Sequence, residues 1–187
     1  MTSTLGSPLR IPLLLLGSLL LLAPACRGDG VEDWVTASTE VESVALTAAE
    51  PHFERRVLLV ARARPDTGAK MSRVDLTFKT EQRWERPASG GSEVHPWFRV
   101  RLVDERDGQV LDEGIIIFGE ERTPDSLTVW LKRNEEEFSQ FEGTYRFVLD
   151  RQGPPSAGTI HVNWSGVGEA LTDADHLERV EVILSQP

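Results

Sequence analysis

Hydrophobic side chains recur at every second position along most of this chain. Val74, Leu76 and Phe78 alternate with Asp75, Thr77 and Lys79. Phe98, Val100 and Leu102 alternate with Arg99, Arg101 and Val103, and Tyr145, Phe147 and Leu149 with Thr144, Arg146 and Val148. The same period runs through 57–64, 127–132, 159–164 and 180–184, with Val41–Leu46 a further candidate. Period two puts one set of side chains on each face of an extended strand, so it predicts half-buried strands rather than helices. Ile115–Phe118 is apolar at every position, the pattern of a central strand covered on both faces.

Turn-forming residues separate these runs. Asp107-Gly108 is a hairpin signal, and Asp66-Thr67-Gly68, Pro87–Gly91, Thr123-Pro124-Asp125 and Gly153-Pro154-Pro155 mark other turns. Helical patterns are few. Asn134–Phe141 fits a turn or two of helix, with Phe138 and Phe141 three apart, and Thr172–Asp175 can cap a short helix. About eight or nine strands with no alternating helices predict an all-β fold, an antiparallel Greek-key sandwich. At 187 residues the chain is long enough to bury a core without disulfides, and its one cysteine allows no internal disulfide.

The N-terminus reads differently. Polar residues and Arg10 precede the apolar run Ile11–Leu22, which is followed by Ala23-Pro24-Ala25. This is the three-part layout of a secretory signal. The apolar run is about 12 residues, against the roughly 20 that a bilayer crossing takes. Cys26 follows at once, and Ala23-Pro24-Ala25-Cys26 resembles the lipobox of bacterial lipoprotein signals. That resemblance implies removal of residues 1–25, a lipidated Cys26, and membrane attachment through the lipid. Two or more acyl chains hold a protein stably at a membrane. Arg27, where an aspartate would resemble an inner-membrane retention signal, implies the outer membrane. Plain secretion to the periplasm or beyond is the alternative. Residues 26–33, with Arg27-Gly28-Asp29, are expected as a solvated tether and 34–187 as the sandwich domain.

Phe141-Glu142-Gly143-Thr144-Tyr145-Arg146-Phe147 resembles the D-x-G-x-Y-x-C stretch that carries the tyrosine corner of immunoglobulin domains. The resemblance implies an immunoglobulin-like sandwich. Phe141 and Phe147 stand where that pattern has aspartate and cysteine, and the number of strands after Tyr145 leaves jelly-roll and other Greek-key sandwiches open.

The net charge is −10, which argues against nucleic acid as a partner. Charge is uneven: net −5 over 26–50, +4 over 51–106 and −10 over 107–187. None of the common hydrolase, metalloprotease, phosphate-loop or dinucleotide motifs occurs, so no catalytic residue, cofactor or metal site is assigned. His52, His95, His161 and His176 lack ligand-like spacing, and Asp104, Asp107, Asp112, Glu113, Glu135–Glu137 and Asp173-x-Asp175 read as solvated loop acids. Asn163-Trp164-Ser165 matches a glycosylation sequon but sits in a strand.

Two features point to binding. Arg99 and Arg101 share one strand face, as do Arg62 and Arg64, and aligned faces could hold anionic groups, the alternative being cross-strand pairing with the abundant glutamates or simple solubility. Trp97 and Trp130 share parity with polar residues, so an exposed indole could stack on a sugar ring or an apolar partner surface. The expected function is a non-enzymatic, envelope-anchored binding domain for an envelope protein or glycan. A carbohydrate-binding module using Trp97 or Trp130 is the alternative, and it requires exposed indoles.

Overall fold

The computed structural model of the chain describes residues 31–87, 96–118, 126–153 and 158–187, with side chains described at all of these except 133–135. Residues 1–25, expected as a signal segment, Cys26, Arg27-Gly28-Asp29 and His95 lie outside the described residues. So do the turn Thr123–Asp125, most of Pro87–Gly91, and Pro154-Pro155.

Ten strands are present among the described residues: β1 Glu32–Ser38, β2 Glu42–Leu46, β3 His52–Ala63, β4 Met71–Glu85, β5 Trp97–Asp104, β6 Val110–Ile117, β7 Ser126–Phe138, β8 Gln140–Gln152, β9 Thr159–Asp173 and β10 Val180–Ser185. One 3-10 helix, Ala174–Arg179, links β9 to β10. All pairings are antiparallel and form two sheets. The first has the order β1-β9-β4-β7, with β2 also on β9, and the second the order β10-β3-β8-β5-β6. β1 and β2 behave as one broken edge strand. Ser38 faces Val167 and Glu42 faces Trp164, so the pairing slips by one residue between them.

The sandwich expected from the alternation is the fold adopted. Strands β2 to β9 pair as β2-β9-β4-β7 and β3-β8-β5-β6, the order of a jelly roll, with β1 and β10 added at edges. It is therefore a Greek-key sandwich of the jelly-roll kind. In an immunoglobulin domain the tyrosine strand is flanked by the strand that follows it. Here β8, which carries Tyr145, is flanked by β3 and β5, and the next strand, β9, lies in the other sheet. The Gly-x-Tyr pair keeps a local reason of its own. Tyr145 is buried and folds back along β8, so that a Cβ on Gly143 would overlap its hydroxyl.

Three local expectations are corrected. Ile115–Phe118 is not central: β6 is the outer edge of its sheet, with Ile116 fully buried and Ile115 51% exposed. Asn134–Phe141 is not helical. It spans the end of β7 and the start of β8, joined at Ser139, and Phe138 pairs with Met71. The first strand begins at Glu32, inside the stretch expected as tether, where Glu32 pairs with Asp173.

The core lies between the sheets. Phe78 of β4, Phe147 of β8 and Trp164 of β9 meet at its centre, with centroid separations of 4.7 Å for Phe147–Trp164 and 4.8 Å for Phe78–Phe147. Close approach of the layers is set by Gly168, where a Cβ would lie 2.5 Å from a methyl carbon of Leu59.

Candidate functional site

The outward face of the first sheet carries a cation–aromatic cluster. Trp34 of β1 and Arg73 of β4 both pair with Leu171 of β9, and Trp130 of β7 pairs with Asp75 of β4. A bulge after Met71 returns Arg73 to this face. Its guanidinium carbon then lies 5.0 Å from the Trp130 ring centre and 5.3 Å from that of Trp34. Its Nε donates to Asp75 Oδ1 at 2.8 Å, and Nη2 lies 2.6 Å from Oδ2. Asp75 is nearly fully buried beneath this cover, and the ion pair satisfies it. Trp130 is 62% exposed and Trp34 is 36% exposed. The sequence pattern does not single out Trp34, Arg73 or Asp75, because β1 lies outside every clear alternating run and the bulge breaks the parity of β4.

Three of the four candidate ligand-binding residues lie on β5, on the outward face of the second sheet. Trp97 is half-buried, and the backbone of Gly153 packs against it: a Cβ there would lie 3.2 Å from the indole. Arg99 and Arg101 converge on Asp150 of β8. Nη2 of Arg101 lies 2.5 Å and Nη2 of Arg99 3.8 Å from its Oδ2, while His52 Nδ1 lies 2.8 Å from its Oδ1. The row continues through Glu54, which takes Arg146 at 3.2 Å, and through Arg56–Glu105 at 2.7 Å. Arg62, at the far end of β3, pairs with Glu181 at 2.8 Å, so it and Arg64 do not align with Arg99 and Arg101. The arginines of this face are thus engaged in cross-strand ion pairs.

Burial works against the Asp150 carboxylate, but hydrogen bonds from His52 and Arg101 outweigh it, so its pKa lies below the ordinary value. A carboxyl whose folded pKa lies below its unfolded value of roughly 4 stabilises fully above that value. The contribution disappears as pH falls through the folded pKa. Denaturant midpoints measured from pH 5 to pH 2 should therefore fall less in Asp150→Asn than in the wild type. An equal fall in both would show that Asp150 contributes nothing to acid sensitivity.

A third feature is a cleft on the flank of the sandwich, between β7 and the β5, β6 and β8 strands. It has a volume of about 740 Å³, within the roughly 300–1,000 Å³ of small-molecule sites. Trp130 borders it, and half-buried Leu111, Val129, Leu131 and Phe141 supply its apolar surface. Tyr145 and Asp104 form part of its wall. Burial pushes the Tyr145 phenol well above its ordinary pKa, with Asp104 adding to the effect and Arg106 opposing it, so it stays protonated.

The other candidates are dispersed. His161 Nε2 lies 2.8 Å from Glu85 Oε2, Asn163 Oδ1 accepts from the Ser43 hydroxyl at 2.8 Å, and His176 lies 3.9 Å from Asp173. Asp104 accepts from Arg106 at 2.7 Å. Among the described residues no three His, Cys, Asp or Glu side chains gather as metal ligands. No family model and no curated protein matches the chain.

Proposed function

We propose that this chain is an exported protein held at a bacterial cell envelope, on the outer membrane, by lipid on Cys26. Its jelly-roll domain is a non-enzymatic binding domain for another envelope component. The observation that carries the anchor is the placement of the single cysteine directly after Ala23-Pro24-Ala25. What supports binding is the exposure of Trp130 beside the braced Arg73, at the border of the flank cleft.

The anchor is tested by expressing the full chain and Cys26→Ala in a Gram-negative host with an alkyne analogue of palmitate. The wild type should pellet with outer membranes and take up label. Cys26→Ala should take up none and lose essentially all membrane retention. Unchanged retention of the variant defeats the anchor, and a wild type found in the soluble fraction supports plain secretion instead.

A glycan as the bound component is the second reading. It is favoured by Trp130, whose exposure meets the requirement that an indole be accessible for stacking.

A further inference from the structure

We propose that the cleft between β7 and the β5–β6 hairpin is a groove for an uncharged oligosaccharide, with Trp130 as its stacking wall. This rests on the binding-domain reading and is independent of the anchor. Four observations lead to it.

The cleft joins apolar surface to neutral hydrogen-bonding groups. Trp130, Leu131 and Phe141 provide the first, and Gln109, Gln140 and Thr144 the second. A sugar ring has the same division, with an apolar C–H face and a rim of hydroxyls.

Two of the acids around the cleft are already paired. Asp104 takes Arg106 and Glu105 takes Arg56, each at 2.7 Å. Lys132 Nζ sits 4.0 Å from the centre of the Phe138 ring. The lining acids Asp104, Glu105 and Glu142 outnumber the lining cations Arg106 and Lys132, so an anionic ligand meets a net negative wall.

The stacking residue is held in place. Arg73 braces the Trp130 indole and is itself fixed by Asp75, so little side-chain freedom is left to lose on binding.

The strand edge beside the cleft is a poor template for a peptide. Val74 pairs with Lys132 and Asp75 with Trp130, which leaves Leu131 as an extra residue in β7. A bulge of this kind twists an edge away from further strand pairing.

The experiment is calorimetric titration of the full mature chain in a detergent without a sugar headgroup. Its probes are maltohexaose, cellohexaose and chitohexaose as neutral ligands, hexagalacturonate as an anionic one, and a β-prone heptapeptide. At least one neutral hexasaccharide should bind. Trp130→Ala should weaken it roughly tenfold or more, Gln140→Ala should weaken it less, and Trp97→Ala should leave it unchanged. Near-ultraviolet dichroism checks that each variant is folded.

Absence of neutral-sugar binding at millimolar concentration overturns the proposal. So does tighter binding of hexagalacturonate, binding of the peptide in its place, or loss in Trp97→Ala but not Trp130→Ala. A pull-down from envelope extract with the same protein separates the two levels. Specific capture of a protein partner after every sugar fails removes the groove and leaves the binding-domain reading standing, whereas failure of both removes both.

Discussion

Trp164→Ala is expected to lower the unfolding free energy by about 3–5 kcal/mol, the range for deleting a large aromatic side chain from a core. Trp164 is 1% exposed. It packs against Phe147 at 4.7 Å, Phe78 at 5.8 Å and Phe53 at 6.2 Å, so it touches β3, β4 and β8 at once. Truncation leaves a cavity between layers that ladder hydrogen bonds hold at fixed spacing, so collapse around it is limited. For a domain of this size the melting temperature should fall on the order of 10 °C. Two comparisons isolate the cause. Trp164→Phe should cost far less, because it keeps most of the packing and removes an indole N–H that has no partner among the described residues. Trp130→Ala deletes the same side chain from the surface and should cost about 1 kcal/mol or less, the worth of an exposed cation–π contact. Denaturant unfolding of all three decides the matter: equal losses in Trp164→Ala and Trp130→Ala would show that the aromatic cluster is not the keystone of the core.

Arg151→Leu should cost about 2–3 kcal/mol, as expected for losing charge-assisted hydrogen bonds in a buried setting. Arg151 continues the inward face of β8 to its end and is 8% exposed. Its Nη1 donates to the carbonyl of Leu46 at 3.1 Å and to that of Gly158 at 2.6 Å. Those carbonyls stand at the end of β2 and just before β9, so one side chain in the second sheet ties two strands of the first. Burial lowers the guanidinium pKa, yet arginine stays charged at neutral pH. Arg151→Lys keeps the charge but not the forked geometry, and it should recover only part of the loss. A variant with wild-type stability in urea would show that the staple is redundant.

The strands were legible wherever one face is core and the other solvent. Phe98, Val100 and Leu102 are buried while Arg99 and Arg101 are not, and Trp164 is inward, as alternation requires. Legibility failed where a single strand's pattern has two solutions. The apolar run at Ile115–Phe118 suits a central strand, but nothing within it says whether another strand lies beside it. It proved to be an edge, and Ile115 is left in solvent. Residues 134–141 mix acids with Phe138 and Phe141 at helical spacing, and pairing of Phe138 with β4 and of Gln140 and Phe141 with β3 overrode that local preference. β1 has too little alternation to be read, since it is held in place by β9.

The candidate site divides the same way. Trp130 was legible from parity, because a large aromatic at a polar position of a strand is exposed unless something covers it. Trp34 and Arg73 were not, because their meeting depends on a bulge and on the long-range pairing of β1, β9 and β4. The arginine row was legible, and so was its pairing with acids on neighbouring strands; which acid each arginine takes was not, since Asp150 lies far along the chain from Arg101. The charge split along the sequence meets the same fate. Arg62 with Glu181, Arg101 with Asp150 and Glu54 with Arg146 each join the net-basic middle to the acidic C-terminal part.

By itself, then, the sequence determined most of the strands and which side of each of those is apolar. Both follow from the two-residue repeat of the extended backbone, a property each segment carries alone. The apolar run Ile11–Leu22 and the isolated Cys26 belong to that same local kind of information. Only the tertiary structure decided the jelly-roll order, the edges, the pairing of the charges and the cleft beside Trp130. Each of these depends on which distant segment is hydrogen-bonded alongside, and that choice minimises exposed apolar surface over the whole chain rather than within any stretch of it.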